Sequence, residues 1–327
     1  MDDRRVLTVS GLSVDYLTGS GPVRAVDSVD LELEAGEFLG IVGESGSGKS
    51  TLLYAIAQLL TPPAEIAAGS VEFLGRDLVQ LTRAQLRHSR WRDFSVVMQS
   101  AMNALNPVMT LEAQMRDTCE AHTEMRSEEI HARSVEVMRL VGVDPIHLRS
   151  YPHQLSGGMR QRAMIAMALL FTPQLVIMDE PTSSLDVVAQ RSLMIQVKRL
   201  QERLGFAVIF VTHDMSLVGG IADRLAVMYA GKLVEVGPTR DLFSRPLHPY
   251  TRGLLEAFPS IQAVRQRLIG IPGSPPDLAR LGAGCRFATR CTDAIEVCAA
   301  TDPPAENIDG RTVRCLRVKG WLGHAEQ

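Results

Sequence analysis

The sequence predicts an α/β fold in which helices cover both faces of a largely parallel sheet. Three continuous apolar runs, Phe38–Val42, Leu175–Met178 and Ala207–Val211, have the composition of strands that are buried on both faces. Apolar residues recur at helical spacing in Ser50–Leu60 and Val187–Leu204, which follow or separate these runs. Because alternation of strands and helices is typical of a parallel sheet, we expect an α/β core.

The segments around this core predict its additions. Residues 5–16 and 29–33 alternate apolar and polar side chains, which indicates half-buried antiparallel strands. Further strands are expected at Ser70–Phe73 and Phe94–Met98, and a helical insertion at about residues 100–160. Turn-like and linker-like segments follow about residue 240, so we divide the chain into a domain at 1–240 and a small carboxyl-terminal extension at 241–327.

Composition excludes several classes of protein. The chain has 327 residues, a net charge of −3 and 46% hydrophobic residues, which describes a globular protein without the basic surface of a nucleic-acid binder. Its longest apolar stretches are much shorter than the ~20 residues that cross a bilayer, and no signal peptide follows the charged start MDDRR. We therefore expect a soluble cytoplasmic protein in which structural disulfides are disfavoured.

The stretch from Gly43 to Ser50, GESGSGKS, predicts a phosphate-binding loop. It matches G-x-x-x-x-G-K-[ST] and lies between a predicted strand and a predicted helix, as this motif requires. Glycines let successive backbone N–H groups face a phosphate, and the helix dipole adds to the attraction. Lys49 is expected on the β- and γ-phosphates, and the Ser50 hydroxyl on Mg²⁺. Asp179 and Glu180 follow another strand and would supply a metal ligand and a group that polarises water.

A second motif indicates which class of phosphate-loop protein this is. Phosphate-binding loops occur in small-molecule kinases, GTPases, helicases and transport ATPases. Leu155–Met159, LSGGM, places Ser156, Gly157 and Gly158 at the amino end of another predicted helix, where an anion can bind. One chain seldom needs two phosphate sites, whereas two copies arranged head to tail would use both.

Together these motifs resemble the ATP-binding cassette (ABC) family over about residues 5–240. Gly43–Ser50 is similar to the Walker A loop, Leu175–Asp179 to Walker B, and Leu155–Met159 to the signature LSGGQ with Met in place of Gln. The resemblance also implies the site residues. By this resemblance Glu180 is the catalytic glutamate, Gln99 the Q-loop glutamine and His213 the switch histidine. Tyr16 is the aromatic residue that stacks on adenine, and Ser184–Asp186 is the D-loop. Further loop contacts are implied at Ser45, Gly46, Gly48 and Thr51.

This resemblance implies a mechanism. Two cassettes would enclose two ATP molecules, each between the Walker motifs of one subunit and the signature Ser156 of the other. Lys49 would bind phosphate, while Ser50, Asp179 and Gln99 would bind Mg²⁺. Glu180 would orient or deprotonate water with help from Gln99 and Lys49, and His213 would contact the γ-phosphate. Asp186 of the D-loop would contribute to nucleotide binding, and dimer opening would be passed to membrane partners near Gln99.

Sequence around the motifs resembles the oligopeptide, dipeptide and nickel importer subfamily. The similar segments are Leu105–Pro107, Tyr151–Met159, Met228–Gly231 and His248–Thr251, although Ser100-Ala101 replaces the usual Asp-Pro. The subfamily implies a second, related ATPase chain, two membrane permeases and an extracytoplasmic solute-binding protein, with no nucleic acid, at the cytoplasmic face of the inner membrane. The transported solute stays open, and so does whether the second cassette is a copy of this chain. A soluble ABC protein that is not coupled to transport and a metabolite kinase are the alternative classes.

Four cysteines lie near the carboxyl terminus, at Cys285, Cys291, Cys298 and Cys315. Their spacing alone is compatible with a metal site, free thiols or disulfides. The subfamily resemblance implies a [4Fe–4S] cluster on these four residues, with zinc as the alternative. Cys119 has no predicted chemistry.

Overall fold

A computed structural model describes residues 4–99, 104–182, 185–257 and 270–318. They form two compact units, each assembled from discontinuous stretches of chain. Unit 1 contains the described residues within 1–7, 33–38 and 73–210, and unit 2 contains those within 8–32, 39–72 and 211–327. Ser100-Ala101 and Ser184, which the sequence analysis names, lie outside the described residues.

The strands are β1 (Arg5–Thr18), β2 (Gly21–Glu34), β3 (Phe38–Val42), β4 (Ala64–Phe73), β5 (Arg76–Asp77), β6 (Phe94–Val97), β7 (Leu175–Asp179), β8 (Ala207–Thr212), β9 (Arg224–Tyr229), β10 (Lys232–Pro238), β11 (Glu306–Ile308) and β12 (Arg311–Val313). The α-helices are α1 (Lys49–Ile56), α2 (Arg83–Ser89), α3 (Leu111–His122), α4 (Ser127–Leu140), α5 (Gly157–Ala168), α6 (Val187–Leu204), α7 (Met215–Val218), α8 (Thr239–Ser244) and α9 (Pro249–Ala257). The three buried apolar runs are strands β3, β7 and β8, as predicted.

Unit 1 holds a parallel strand pair and a group of helices. β6 runs parallel to β7, with Val96 opposite Ile177. The predicted helical insertion is confirmed as α3, α4 and the start of α5. Helix α3 begins where the Thr110 hydroxyl accepts a hydrogen bond from the Ala113 N–H at 3.3 Å, which is N-capping.

Unit 2 holds the phosphate-loop strand and the carboxyl-terminal region. β3 runs parallel to β9, and β9 returns antiparallel as β10. The two residues between them, Ala230 and Gly231, have φ of 46° and 86°. Positive φ at both positions is typical of a type I′ hairpin turn. In a separate sheet, β1 lies between β2 and β4.

Strands β11 and β12 were not predicted. β12 pairs antiparallel with β10, and β11 pairs antiparallel with β12. A small apolar cluster stabilises this region and consists of Leu247, Ile308, Val313 and Val318. Among the described residues, no helix combines the length and the apolar character that spanning a bilayer requires.

Candidate functional site

Glycines allow the loop between β3 and α1 to pack against neighbouring backbone in unit 2. Gly43 has φ of 155°, and a Cβ there would lie 2.1 Å from the Met228 carbonyl oxygen. Gly48 has φ of 103°, and a Cβ there would lie 2.5 Å from the Ala25 carbonyl oxygen. Real side chains cannot occupy such positions, so both sites require glycine. Ser45 and Gly46 form the exposed part of the loop.

The Lys49 ammonium group is held inside this loop. Its Nζ donates hydrogen bonds of 2.8 Å to the carbonyl oxygens of Gly43 and Glu44, and lies 3.4 Å from Ser47 Oγ. Lys49 is 6% exposed, so its positive charge is buried inside the loop. A buried cation in a glycine-rich loop at a helix amino terminus is suited to binding a phosphate.

Other residues predicted to contact the nucleotide lie beside the phosphate loop or at a strand end of unit 2. The Tyr16 hydroxyl is 3.2 Å from Thr51 Oγ1, so β1 brings its aromatic residue to the start of α1. Ser50 is half-buried in the first turn of α1. The β9–β10 turn supports the loop, because the Gly231 N–H donates to the Ser47 carbonyl oxygen at 2.8 Å. His213 is exposed directly after β8.

In unit 1, the carboxyl ends of two neighbouring parallel strands bring two predicted catalytic residues together. Gln99 follows β6 and Glu180 follows β7, and Gln99 Nε2 donates a hydrogen bond of 3.2 Å to Glu180 Oε2. Glu180 has φ of 41°, in the left-handed region that side chains other than glycine seldom adopt. Such strain is concentrated at functional sites in proteins. Asp179, the last residue of β7, is completely buried.

The signature serine begins helix α5. Its Oγ accepts a hydrogen bond from the Met159 N–H at 3.3 Å, and Ser156 itself is exposed. Gly157 and Gly158 form the first turn, and a Cβ at Gly158 would meet no atom within 4 Å. The positive end of the α5 dipole is therefore accessible to an external anion.

The D-loop residue Asp186 is exposed at the start of α6. Its Oδ1 accepts a hydrogen bond from the Ala189 N–H at 2.9 Å. Gln190 Nε2 donates to the carbonyl oxygens of Thr182 and Leu185, at 2.8 and 3.0 Å. Helix α6 thus fixes the described residues on both sides of Ser184.

The donor groups predicted to bind Mg²⁺ fit that ion chemically. Ser50 offers a hydroxyl oxygen, Asp179 a carboxylate and Gln99 an amide oxygen. Mg²⁺ prefers hard oxygen ligands of this kind, completed by water and substrate phosphates. The complete burial of the Asp179 carboxylate at a strand end also suits a charge that a cation neutralises.

The predicted iron–sulfur cluster is wrong, and so is the zinc alternative. Cys285, Cys291, Cys298 and Cys315 do line one cavity, but its volume is about 20 Å³, which is room for about one water molecule. All four are free cysteines. Within the described ranges, no group of three or more His, Cys, Asp or Glu residues is arranged to hold a metal ion.

Cys298 is buried, and Cys285, Cys291 and Cys315 are half-buried. Burial raises the pKa of Cys285 to about 11, and it also raises the pKa of Cys291 and of Cys315. Raised thiol pKa values favour the protonated form at neutral pH.

Comparison with known proteins agrees with the motifs. The profile of the "ABC transporter" family matches residues 26–183, and that of the "Oligopeptide/dipeptide transporter, C-terminal region" matches residues 234–298. The chain is 42% identical over 314 residues to the oligopeptide transport ATP-binding protein OppD of Escherichia coli K12, covering 95% of this chain and 93% of that protein. It is 40% identical to the dipeptide transport ATP-binding protein DppD of Caldanaerobacter subterraneus, covering 93% of this chain and 94% of that protein.

Solved structures give the same result. The dimeric structure of MJ0796, a bacterial ABC transporter cassette, is similar with a TM-score of 0.64 and 28% identity, over 72% of this chain and 99% of that chain. A post-hydrolysis dimer of MJ0796 bound to ADP and Pi is similar with a TM-score of 0.63 and 28% identity, over the same shares of the two chains. The chain therefore belongs to the ABC transporter family and is an ATPase of the group that carries the oligopeptide/dipeptide transporter carboxyl-terminal region.

Proposed function

We propose that this chain is the ATP-hydrolysing subunit of an importer that carries oligopeptides or dipeptides across the cytoplasmic membrane. The similarity to OppD and DppD proteins over more than nine-tenths of the chain supports this proposal most strongly. The nucleotide motifs add to it, because each predicted position within the described residues carries a residue able to do its task. The chain would act at the cytoplasmic face of the inner membrane.

The phosphate loop would bind the triphosphate of ATP. Backbone N–H groups from Gly43 to Lys49 would surround the β- and γ-phosphates, and Lys49 Nζ would exchange its bonds to loop carbonyls for bonds to phosphate oxygens. Thr51 would bind the α-phosphate side, and the ring of Tyr16 would stack on adenine. The positive charge of Lys49 and the loop N–H groups would neutralise the negative charge of the phosphates.

Ser50, Asp179 and Gln99 are the residues that would hold Mg²⁺. The bound ion would neutralise negative charge on the β- and γ-phosphate oxygens. Glu180 would orient a water molecule and accept its proton as the water oxygen attacks the γ-phosphorus. The bond from that phosphorus to the bridging oxygen would break, giving ADP and inorganic phosphate. His213 would donate a hydrogen bond to the γ-phosphate.

The signature residues would complete the site of a neighbouring cassette. Ser156, Gly157 and Gly158 present an exposed helix terminus, which would bind the γ-phosphate of ATP held in an opposing subunit. Asp186 would lie at the same interface. The opposing subunit is a second, related ATPase chain, and the complete transporter would add two membrane permeases and an extracytoplasmic solute-binding protein. No step requires nucleic acid.

Uptake by cells tests this proposal directly. Cells that lack the chain should fail to accumulate a radiolabelled oligopeptide or dipeptide, and the wild-type chain should restore uptake while Glu180→Gln should not. The tagged chain should also co-purify with membrane permeases. Loss of nickel uptake with normal peptide uptake would assign the chain to the nickel alternative and contradict the peptide proposal. Normal uptake of both solutes would contradict import of either.

A further inference from the structure

A buried arginine of the carboxyl-terminal region binds the phosphate loop within unit 2. Arg290 Nη1 and Nη2 donate to the two carboxylate oxygens of Glu44, at 2.6 and 2.9 Å. Glu44 is the second residue of the GESGSGKS loop. A two-point contact between guanidinium and carboxylate is stronger and more directional than a single ion pair.

The Arg290 side chain is itself fixed. It is 4% exposed, its Nε donates to the Pro272 carbonyl oxygen at 2.8 Å, and Nη1 lies 3.3 Å from the Tyr229 hydroxyl. Its hydrogen bonds to Glu44 raise the pKa of the guanidinium group, so it stays charged. An exposed ion pair contributes little to stability because its side chains are mobile and solvated. The Arg290 side chain is instead buried and held by several hydrogen bonds.

Glu44 is held at three separate points. Arg290 holds its carboxylate, the Tyr250 hydroxyl accepts a hydrogen bond from its N–H at 2.9 Å, and its carbonyl oxygen accepts from Lys49 Nζ at 2.8 Å. The third contact joins Glu44 directly to the phosphate-binding lysine. Moving the Glu44 backbone would therefore move a group that sets where the Lys49 ammonium lies before ATP binds.

We propose that Arg290 is a positioning residue for ATP binding, which acts by holding Glu44 and thereby the backbone of the phosphate loop. Loss of the contact would let the loop adopt other conformations, and ATP would have to restore the binding conformation when it binds. Such a cost weakens affinity. It leaves the chemical step unchanged once ATP is bound, because Arg290 is not proposed to touch the nucleotide.

A double-mutant cycle on the full-length chain tests this proposal. Mg-ATP affinity is measured at equilibrium for Arg290→Gln, Glu44→Gln and the double variant. Each single variant should bind Mg-ATP about tenfold more weakly, and the double variant should lose about as much as either single variant, because both changes break one contact. In the assembled transporter, Arg290→Gln should raise KM for ATP about tenfold, while kcat at saturating ATP stays within about twofold of the wild type.

Arg252→Gln is the matched control. Arg252 pairs with Asp293 in the same region, so this variant removes the same charge and also breaks an ion pair. Its Mg-ATP affinity should stay within about twofold of the wild type. If Arg290→Gln does not fold, Arg290→Lys keeps the charge but not the two-point contact, and should bind Mg-ATP about threefold more weakly. Affinity in Arg290→Gln within twofold of wild type, losses that multiply in the double variant, or unchanged affinity in Arg290→Lys would overturn the proposal.

Discussion

Gln99 Nε2 donates a hydrogen bond of 3.2 Å to Glu180 Oε2, joining residues that are far apart in sequence. Their strands, β6 and β7, are parallel neighbours, so both residues emerge at the carboxyl edge of the sheet. Gln99 therefore contacts Glu180, the proposed water-activating residue.

Glu180→Gln should abolish ATP hydrolysis and leave ATP binding intact. An amide keeps the size of the side chain and a hydrogen bond to Gln99, but it cannot accept the proton of water. Turnover by the assembled transporter should fall by at least about 100-fold, since general bases contribute roughly 10²–10⁴-fold. Glu129→Gln, which neutralises an exposed carboxylate on α4, is the control and should hydrolyse ATP normally. Near-normal turnover in Glu180→Gln would remove Glu180 from the mechanism.

Alanine substitutions in the phosphate loop should differ sharply between two glycines. Gly43→Ala places a Cβ 2.1 Å from the Met228 carbonyl oxygen, so the loop must shift and ATP binding should be lost. At Gly46, φ is 77° and a Cβ would meet no atom within 4 Å. Gly46→Ala should therefore lower the free energy of unfolding only by the left-handed backbone penalty of about 1–2 kcal/mol. Nucleotide binding and thermal unfolding of both variants provide the test, and equal effects would contradict the packing described here.

Ser156→Ala and Thr110→Ala separate capping from nucleotide contact. Each variant removes one N-cap hydrogen bond of 3.3 Å, and each should lower the free energy of unfolding by about 0.5–2 kcal/mol. Only Ser156→Ala should also reduce ATP turnover in the assembled transporter, by about tenfold. Equal turnover in the two variants would mean that Ser156 is a structural cap alone.

His248 should make the stability of the protein sensitive to acid. It is completely buried, its Nδ1 accepts a hydrogen bond from the Tyr250 N–H at 3.0 Å, and burial lowers its pKa to about 3. An unfolded histidine titrates near pH 6.5, so below that pH the unfolded state binds the extra proton. The His248 contribution is therefore complete above about pH 7 and declines as the pH falls from 6.5 toward 3.

The size of this effect follows from linkage. Between pH 7.5 and pH 5.5 the free energy of unfolding should fall by about 1 kcal/mol more in the wild type than in His248→Gln. Comparison with the variant cancels the titration of other groups. One of these is the nearby Glu235, whose carboxylate accepts a hydrogen bond from the His248 backbone N–H at 2.9 Å. Denaturant unfolding at both pH values measures the difference, and identical pH dependence would contradict a neutral, buried His248.

The sequence predicted elements whose signals are local. Helix α6 spans Val187–Leu204 and β3 spans Phe38–Val42, both as predicted, because a continuous apolar run or helical period marks each. β2 begins at Gly21, earlier than its alternating pattern at 29–33 indicates. Its first half is only partly buried, so hydrogen bonding to its neighbour β1 extends it beyond the apolar pattern.

Contacts between distant residues could not be predicted. The pairing of β12 with β10 and the contact of Arg290 with Glu44 join residues more than 70 positions apart. A single sequence contains no signal for such partners. The cysteine prediction failed for a related reason: spacing shows that four thiols occur in one region, but not that packing leaves about 20 Å³ between them.

The structure of the assembled transporter, trapped with Mg-ATP by Glu180→Gln, tests the central claim most directly. We predict that the signature Ser156 lies within hydrogen-bonding distance of the γ-phosphate of an ATP molecule bound by the glycine loop of the opposing ATPase subunit. A trapped complex in which one polypeptide alone contacts each nucleotide, with Ser156 facing solvent, would contradict the head-to-tail site.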